Sequence, residues 1–151
     1  MFKKNFQILN NNEIKEITDK ILFIESNSSA EIKIIILKRK SFWDRKKTAF
    51  DIAVKEFKKN KLYKTKDRTG ILLLIILKEK EIALIGDSGI HSKVSKEFWD
   101  KIVNNVIEKF RVNNFKDGIL LALDELATPL FTYFPIKPDD TNEISNDLII
   151  K

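Results

Sequence analysis

The stretch that decides the fold is residues 67–89, DRTGILLLIILKEKEIALIGDSG, in which two apolar runs flank a polar turn at residues 79–80. Short runs of aliphatic and β-branched residues joined by a polar pair are typical of a β-hairpin. The strands of a hairpin run antiparallel, so its two outer ends meet at one edge of the sheet. An aspartate stands at each outer end, and the hairpin therefore brings two carboxylates to one edge.

The register of this hairpin sets how close the two aspartates come. If Lys78 faces Glu81 across the turn, antiparallel pairing sets Leu72 opposite Asp87. Asp67, which comes just before the first strand, then lies at the same edge. We therefore expect Asp67 and Asp87 to be neighbours in space, although twenty residues separate them in the sequence.

Apolar periodicity predicts the elements around the hairpin. Residues 31–37 (EIKIIIL) are β-branched and short enough for a buried strand. Four stripes at helical spacing predict four helices: Ile14, Ile17, Ile21 and Ile24; Phe50, Ala53, Val54 and Phe57; Phe98, Trp99, Ile102, Val103, Val106, Ile107 and Phe110; and Phe115, Ile119, Leu123, Leu126 and Leu130. Pro129 should kink or end the last helix.

This order of elements predicts an α/β fold. A strand, a crossover helix and a second strand favour a parallel pair with a right-handed connection. Each helical stripe needs a sheet face to bury against, so we expect a small mixed sheet with helices on both faces. The length of 151 residues suits a single domain over 1–151, with a loose N-terminus at 1–10 and a tail at 136–151.

Composition excludes several classes of protein. The chain has no cysteine, which rules out disulfides, zinc-thiolate sites and thiol nucleophiles. No stretch approaches the roughly 18 to 20 apolar residues needed to cross a bilayer, and the N-terminus lacks the apolar core of a signal peptide. As the sequence stands, we expect a soluble, cytoplasmic protein with no transmembrane segment.

Positive charge is concentrated in one segment. Residues 38–68 contain thirteen Lys or Arg against four Asp or Glu, within a chain of net charge +6. Such a segment can be an electrostatic footprint for nucleic acid or an anionic membrane, although Lys-rich helix faces are usually solvated surface. Its aromatic residues Phe42, Trp43, Phe50 and Phe57 fall at spacings that predict burial, which leaves few rings to stack on bases. We therefore do not expect nucleic acid as a partner.

The parallel pair adds a third acidic residue to the edge that holds the two aspartates. Glu31 begins its strand there, beside Asp67 and Asp87. Clustered carboxylates without Cys suit hard cations such as Ca²⁺ or Mg²⁺. We predict Asp67, Asp87 and Glu31 as metal ligands, with Glu25 as a further candidate. The alternative is that Arg68 and nearby lysines form surface ion pairs with these carboxylates.

His91 is the only histidine and a second additional candidate. Near the Asp87 carboxylate it could serve as a general acid or base, although a lone loop histidine is more often incidental. It follows the Gly-Asp-Ser-Gly motif at 86–89, whereas in chymotrypsin-like proteases the histidine precedes the serine. The sequence has no P-loop, dinucleotide fingerprint or zincin motif, so no activated nucleophile is identifiable.

A series of short motifs resembles the TPM domain family, in particular its short, free-standing bacterial members. The motifs are SAEIKI at 29–34, TGIL at 69–72, IGDSGI at 85–90, EFWD at 97–100, FKDGI at 115–119, FP at 134–135 and DTNE at 140–143. The chain departs from the family pattern at Ala30, where many members have Gly, and at Thr69, where many have Asn. The resemblance implies a three-layer α/β/α sandwich with a Rossmann-like arrangement.

The same resemblance bears on function. The family includes a thylakoid-lumen protein linked to photosystem repair and reported as a weak acid phosphatase, and bacterial members better described as divalent-metal binders. One hypothesis is a calcium-binding or magnesium-binding domain that is at most a weak metal-dependent phosphomonoesterase. The other is a non-catalytic module that holds a protein partner through the metal-stabilised surface or residues 38–68, and assists the assembly or repair of a membrane complex.

Overall fold

The computed structural model describes residues 8–136 and 148–151. Its sheet is mixed, with the strand order β3-β2-β1-β4. The strands are β1 (Glu31–Leu37), β2 (Gly70–Ile76), β3 (Glu81–Gly86) and β4 (Leu148–Ile150). β1 runs parallel to β2 and β4, whereas β2 and β3 form the antiparallel hairpin. The predicted parallel pair and hairpin are both confirmed.

Helices cover both faces of the sheet, as predicted. They are α1 (Asn11–Ser26), α2 (Ala49–Lys59), α3 (Ser88–His91), α4 (Lys96–Arg111) and α5 (Phe115–Tyr133), with 3-10 turns at Phe42–Asp44 and Leu62–Lys64. The first helix begins at a capping box, in which the Asn10 side chain accepts from the Glu13 N–H and the Glu13 carboxylate accepts from the Asn10 N–H. No helix in the described part of the chain is long and apolar enough to span a bilayer.

Side chains of β1 point alternately to the two faces of the sheet, and a separate core layer lies on each face. Ile32, Ile34 and Ile36 belong to the larger core, which α1, α4 and α5 share. Ile35 points to the opposite face and packs with residues of α2. Lys33 lies on that same face and is also buried. The small α2 layer thus contains charge within its apolar surroundings.

The hairpin register differs by two residues from the predicted one. Leu72 pairs with Ile85 rather than with Asp87. A shift of two keeps every side chain on its predicted face, because side chains alternate with a period of two. It also moves Asp87 nearer the start of β2, where its N–H donates to the Gly70 carbonyl oxygen at 2.9 Å.

The longer turn has a cause in the neighbouring strand. The N–H groups of Leu77 and Lys78 donate to the carbonyl oxygens of Leu37 and Lys38, both at 2.9 Å. These residues therefore continue along β1 instead of closing against β3, and the turn takes four residues. Lys80 completes it in the left-handed region, at φ 57°.

Helix α2 presents a different face from the predicted one. Its buried residues are Ala49, Ile52, Ala53 and Glu56. Lys33 Nζ donates to Asn60 Oδ1 at 3.2 Å, and Asn60 Nδ2 donates to Glu56 Oε1 at 3.4 Å. On this face Ala49, Ile52 and Ala53 pack in the core, and polar groups at the C-terminal end of the helix supply the hydrogen bond that a buried ammonium group needs.

Aromatic burial in the basic segment was predicted wrongly. Phe42 is 68% exposed, Trp43 84% and Phe50 59%, and only Phe57 is half-buried. The rotation of α2 turns Phe50 outward, and the short 3-10 turn presents the other two rings to solvent. The premise on which we argued against a binding surface here therefore fails.

Pro129 does not end the last helix, which continues to Tyr133. The proline ring and Leu130 are both buried in the core. The turn that follows is closed by the Phe134 N–H, which donates to the Leu130 carbonyl oxygen at 2.9 Å. Packing and this hydrogen bond offset the missing proline donor.

The predicted tail at 136–151 is described only at residue 136 and residues 148–151. In the second of these stretches, Leu148–Ile150 form β4, which pairs with residues 34–36 of β1. The acidic run at 139–143 lies outside the described residues. Part of the predicted tail is therefore an element of the sheet.

Candidate functional site

The candidate site lies at the sheet edge where β1 and β2 begin and β3 ends. Glu31 is the register partner of Gly70, and Ile71 is the partner of Gly86. Asp67 precedes β2 and Asp87 follows β3, so the chain segments that carry Glu31, Asp67 and Asp87 all reach this edge. The predicted placement of these three chain segments at one edge agrees with the sheet topology.

Two loops at this edge are packed main chain against main chain. The Arg68 carbonyl oxygen accepts from the N–H groups of Gly89, at 2.8 Å, and Ile90, at 3.4 Å. A Cβ atom at position 89 would overlap the carbonyl oxygens of Asp67 and Arg68. Glycine at position 89 is therefore what allows the loop with Asp67 to contact the loop with Asp87.

The Asp87 carboxylate is held by an arginine. Arg68 Nε donates to Oδ2 at 2.7 Å and Nη2 donates to Oδ1 at 3.0 Å, which makes a bidentate pair. Oδ1 also accepts from the Ser88 N–H at 2.7 Å, so Asp87 is the N-cap of α3. The hydrogen bonds and charge of Asp87 raise the pKa of Arg68. The ion pair named as the alternative is thus present at Asp87.

Asp67 stands in a different environment. The residue is half-buried, and no ion pair or hydrogen bond of its carboxylate is found within residues 8–136 and 148–151. Behind it, the Thr69 N–H donates to Thr65 Oγ1 at 2.8 Å, which closes the loop. Of the two aspartates, Asp67 therefore has the carboxylate that is more readily available to a cation.

The two glutamates are buried and lie on opposite sides of β1. Glu31 is 3% exposed and begins the strand on the face that α2 covers. Glu25 Oε2 accepts from the Ile32 N–H at 2.9 Å. That contact gives Glu25 a structural role.

His91 lies at the mouth of an adjacent cleft. Trp99 Nε1 donates to His91 Nδ1 at 3.2 Å, and the two rings are stacked with centroids 6.3 Å apart. The cleft has a volume of about 400 Å³ and lies between α2 and the end of β3, with Phe57, Ile85 and Asp87 among its lining residues. The hydrogen bond from Trp99 to Nδ1 orients the imidazole ring.

These residues fit a divalent cation in part. Within the described residues, no group of three or more His, Cys, Asp or Glu side chains is brought together around one point. Ca²⁺ and Mg²⁺ also accept carbonyl oxygens and water, so two carboxylates on adjoining loops suffice for weak binding. The role of Asp67, Asp87 and Glu31 as ligands stays a prediction.

Sequence reasoning missed two features of this site. One is α3, although an aspartate followed by Ser88 and Gly89 after a strand is a helix N-cap pattern. The other is the hydrogen bond between Trp99 and His91, for which the sequence has no signal because α4 is brought to α3 only by the tertiary fold.

Comparisons with known proteins agree with the fold. No curated protein matches the chain. The chain is similar to the BA42 protein of the psychrophilic bacterium Bizionia argentinensis, known from an NMR structure, with a TM-score of 0.81, 32% identity and 95% of each chain covered. The N-terminal domain of a protein from P. gingivalis has a similar fold, with a TM-score of 0.66, 16% identity, and 82% of this chain and 77% of that one covered.

The profile of the TPM domain family matches residues 3–128, which is more than half of the chain. The resemblance inferred from the motifs is confirmed, and the chain belongs to the TPM domain family.

Proposed function

We propose that this TPM domain is a binding module that takes up a divalent cation, Ca²⁺ or Mg²⁺, between the loops of Asp67 and Asp87. The observation that carries the proposal is the main-chain contact between these loops, sealed by the hydrogen bonds from Gly89 and Ile90 to Arg68. Two carboxylates reach this contact from different strands, and hard cations prefer such oxygen ligands.

Binding at this place is an exchange reaction. Arg68 already neutralises Asp87, so an incoming cation competes with the guanidinium for the carboxylate. The Arg68 side chain is 53% exposed, but that of Asp87 is only 9% exposed and the contact is bidentate, so displacing the guanidinium costs part of the free energy of cation binding. We expect a dissociation constant on the order of 0.1 to 1 mM, as in weak extracellular calcium modules.

The other predicted ligands are less suited to bind the cation than the two aspartates. Glu31 begins β1 at the same edge, but it is buried and does not come together with the two aspartates around one point, so the proposed ligands are Asp67 and Asp87. Glu25 already accepts the Ile32 N–H, and His91 Nδ1 already accepts from Trp99. An imidazole nitrogen is in any case a poor ligand for Ca²⁺ or Mg²⁺. Both residues therefore stand outside the proposed ligand set.

We propose binding rather than catalysis as the main role. A phosphatase needs an activated nucleophile or a metal beside a general base. The ring of His91 is oriented by Trp99 and not by a carboxylate in the described part of the chain. Weak metal-dependent phosphomonoester hydrolysis is the most that this arrangement supports.

A second candidate function has its own support in the cleft of about 400 Å³ between α2 and β3. Its wall is mainly apolar, with Phe50 and Phe57 on one side and Ile85 on the other. β3 is an edge strand of the sheet, and exposed strand edges can accept an extended peptide. A protein-interaction module, with or without a bound cation, is the alternative.

An NMR titration with CaCl₂ and, separately, MgCl₂ tests the cation site. We expect amide shifts confined to residues 65–70 and 86–91, absent from Asp67→Asn/Asp87→Asn. Asp100→Asn/Asp124→Asn is the matched control, because it removes two exposed, ion-paired aspartates elsewhere. Arg68→Gln should bind more tightly, since it removes the competitor. Shifts that persist in the first double variant would place the site elsewhere.

A further inference from the structure

The loop after β1 combines exposed aromatic rings with a dense basic charge. Residues 38–47 read KRKSFWDRKK, with six Lys or Arg and one Asp. Phe42 is 68% exposed and Trp43 is 84% exposed. Large apolar side chains exposed to this degree indicate an interaction surface when charged residues surround them.

Strand direction gathers more cations at the same end of the molecule. β1, β2 and β4 are parallel, so the segments that follow them lie together at one edge. The Lys78 N–H donates to the Lys38 carbonyl oxygen at 2.9 Å, and the Lys151 N–H donates to the Ile36 carbonyl oxygen at 2.9 Å. We call this surface the basic aromatic end. It comprises Phe42 and Trp43, the six Lys and Arg residues of 38–47, and Lys78, Lys80 and Lys151.

Three acidic side chains lie at this end and offset part of its charge. Asp44 is buried, and Lys55 and Lys47 both pair with its carboxylate. Glu81 pairs with Lys40 Nζ at 2.9 Å, and Glu79 accepts from the Lys40 N–H at 3.3 Å. In the part of the chain that the structure describes, no ion pair engages Arg39, Arg45 or Lys46, and all three are exposed.

The aromatic pair forms a compact apolar tip. The rings of Phe42 and Trp43 meet edge to face, with centroids 5.3 Å apart and an interplanar angle of 86°. The Arg45 guanidinium lies 5.1 Å from the centroid of the Phe42 ring. Arg45 covers one face of Phe42, whereas Trp43 stays open to solvent. Two packed rings ringed by cations suit insertion into the headgroup region of an anionic membrane.

We propose that the basic aromatic end docks the domain on an anionic phospholipid membrane. Trp43 and Phe42 insert at the headgroup level, where tryptophan is enriched, and the surrounding cations attract the negative surface. The candidate cation site lies at the opposite edge of the sheet. β1 has seven residues, so about 20 Å separates that site from the membrane.

The two tryptophans make this docking directly measurable. Trp43 is 84% exposed and Trp99 is 8% exposed, so a change of solvent should alter chiefly the emission of Trp43. The full chain is titrated with vesicles of phosphatidylcholine containing about 30 mol% phosphatidylglycerol, at about 0.1 M salt. We expect sedimentation with these vesicles and a blue shift in emission, with no binding to pure phosphatidylcholine. The blue shift should vanish in Trp43→Phe while Trp99 emission remains.

Charge variants test the electrostatic part. Removing three cations with Arg39→Gln/Arg45→Gln/Lys46→Gln should weaken partitioning roughly 100-fold, at about fivefold for each charge near the surface. The matched control, Lys59→Gln/Lys101→Gln/Lys109→Gln, removes three exposed cations elsewhere and should change it less than about threefold. Trp43→Ala should weaken it on the order of tenfold. All these positions are exposed, and a thermal melt of each variant confirms that it is folded.

Several outcomes would overturn the proposal. Absence of binding to anionic vesicles, equal binding to pure phosphatidylcholine, or equal losses in the two triple variants would each do so. An unchanged Trp43 emission on bound vesicles would place the contact on another surface. Binding of a single-stranded oligonucleotide that Trp43→Ala weakens, without vesicle binding, would assign this end to nucleic acid instead.

Discussion

Gly89 is the residue on which the candidate site depends most directly. The carbonyl oxygens of Asp67 and Arg68 occupy the space in which any other residue at position 89 would place its Cβ atom. The carbonyl oxygens belong to a loop that Thr65 and Thr69 close by hydrogen bonds, so the loop has little freedom to retreat. The contact between the loops of Asp67 and Asp87 therefore depends on the absence of a Cβ atom at position 89.

We predict that Gly89→Ala lowers the free energy of unfolding by about 1 to 3 kcal/mol, the usual cost of overpacking. It should also weaken any calcium response at residues 65–70, because the loops are pushed apart. Urea unfolding measures the first effect and the NMR titration the second. Ser88→Ala changes an exposed neighbour and is the control. Equal stability of the two variants would show that the loop yields to the extra atom.

Asp44 anchors the exposed aromatic turn, and this makes stability depend on pH. The hydrogen bond from Lys55, with smaller contributions from Lys47 and Ser41, holds the pKa of Asp44 below its usual 3.8. A carboxyl group whose pKa is lower in the folded state stabilises the fold above pH 3.8, and this stability is lost as the pH falls through the folded-state pKa.

We therefore predict that Asp44→Asn reduces the acid sensitivity of folding below pH 3.8, the usual pKa of the group. Lys55 is half-exposed, so the contribution is about 1 kcal/mol or less. Urea unfolding of parent and variant from neutral pH to about pH 3 measures it. The two curves should converge at the acid end. A difference in stability that stays constant with pH would mean that Asp44 acts through packing alone.

At the scale of elements, periodicity predicted the buried faces of α1, α4 and α5, but it predicted the wrong face for α2. The β-branched run at 31–37 is β1, with the predicted bounds. Helix α2 carries apolar residues on more than one face, so period alone could not choose between Phe50 and Ile52. Tertiary packing decides it, because Ala49, Ile52 and Ala53 fit the core between this helix and the sheet.

The hairpin shows a similar limit. Its two strands follow from residues 67–89 alone, yet its register depends on hydrogen bonds from Leu77 and Lys78 to β1. No local pattern reports that contact, because it joins residues about forty positions apart. The edge that holds Asp67 and Asp87 was therefore predictable, whereas the bidentate contact between Arg68 and Asp87 was only one of two alternatives.

Trp99 links α4 to β3, and its truncation tests how strongly these elements depend on each other. Its ring lies in the core, against Gly86, with its Nε1 directed to His91. We predict that Trp99→Ala lowers the free energy of unfolding by about 3 to 5 kcal/mol, as for other large core truncations. Trp99→Phe should lose less because it keeps most of the apolar volume. A loss below about 1 kcal/mol in the alanine variant would show that α4 packs without it.

The parallel strands place different side chains at the two ends of the sheet. The basic aromatic end lies where β1 and β2 finish, whereas the acidic residues where these strands begin lie near Lys64, Lys66 and Arg68. The net charge of +6 is therefore spread over both ends. With the basic aromatic end docked on an anionic surface, the proposed cation site faces away from that surface.

If this domain is a binding module, as we propose, it should have little or no phosphatase activity. We predict that the purified domain hydrolyses p-nitrophenyl phosphate slowly or not at all, with or without Ca²⁺ or Mg²⁺. Lys64, Lys66 and Arg68 near the acidic edge can attract an anionic substrate, but attraction alone supplies no nucleophile.

The comparison that decides this point is the parent protein against Asp67→Asn/Asp87→Asn, purified side by side. Any residual rate should be the same in both, because contaminants do not depend on these residues. A metal-dependent turnover of about 1 per second or faster, as in ordinary enzymes, that disappears in the double variant would contradict the prediction. In that case the exchange between Arg68 and a cation at Asp87 would be a step in forming an active site.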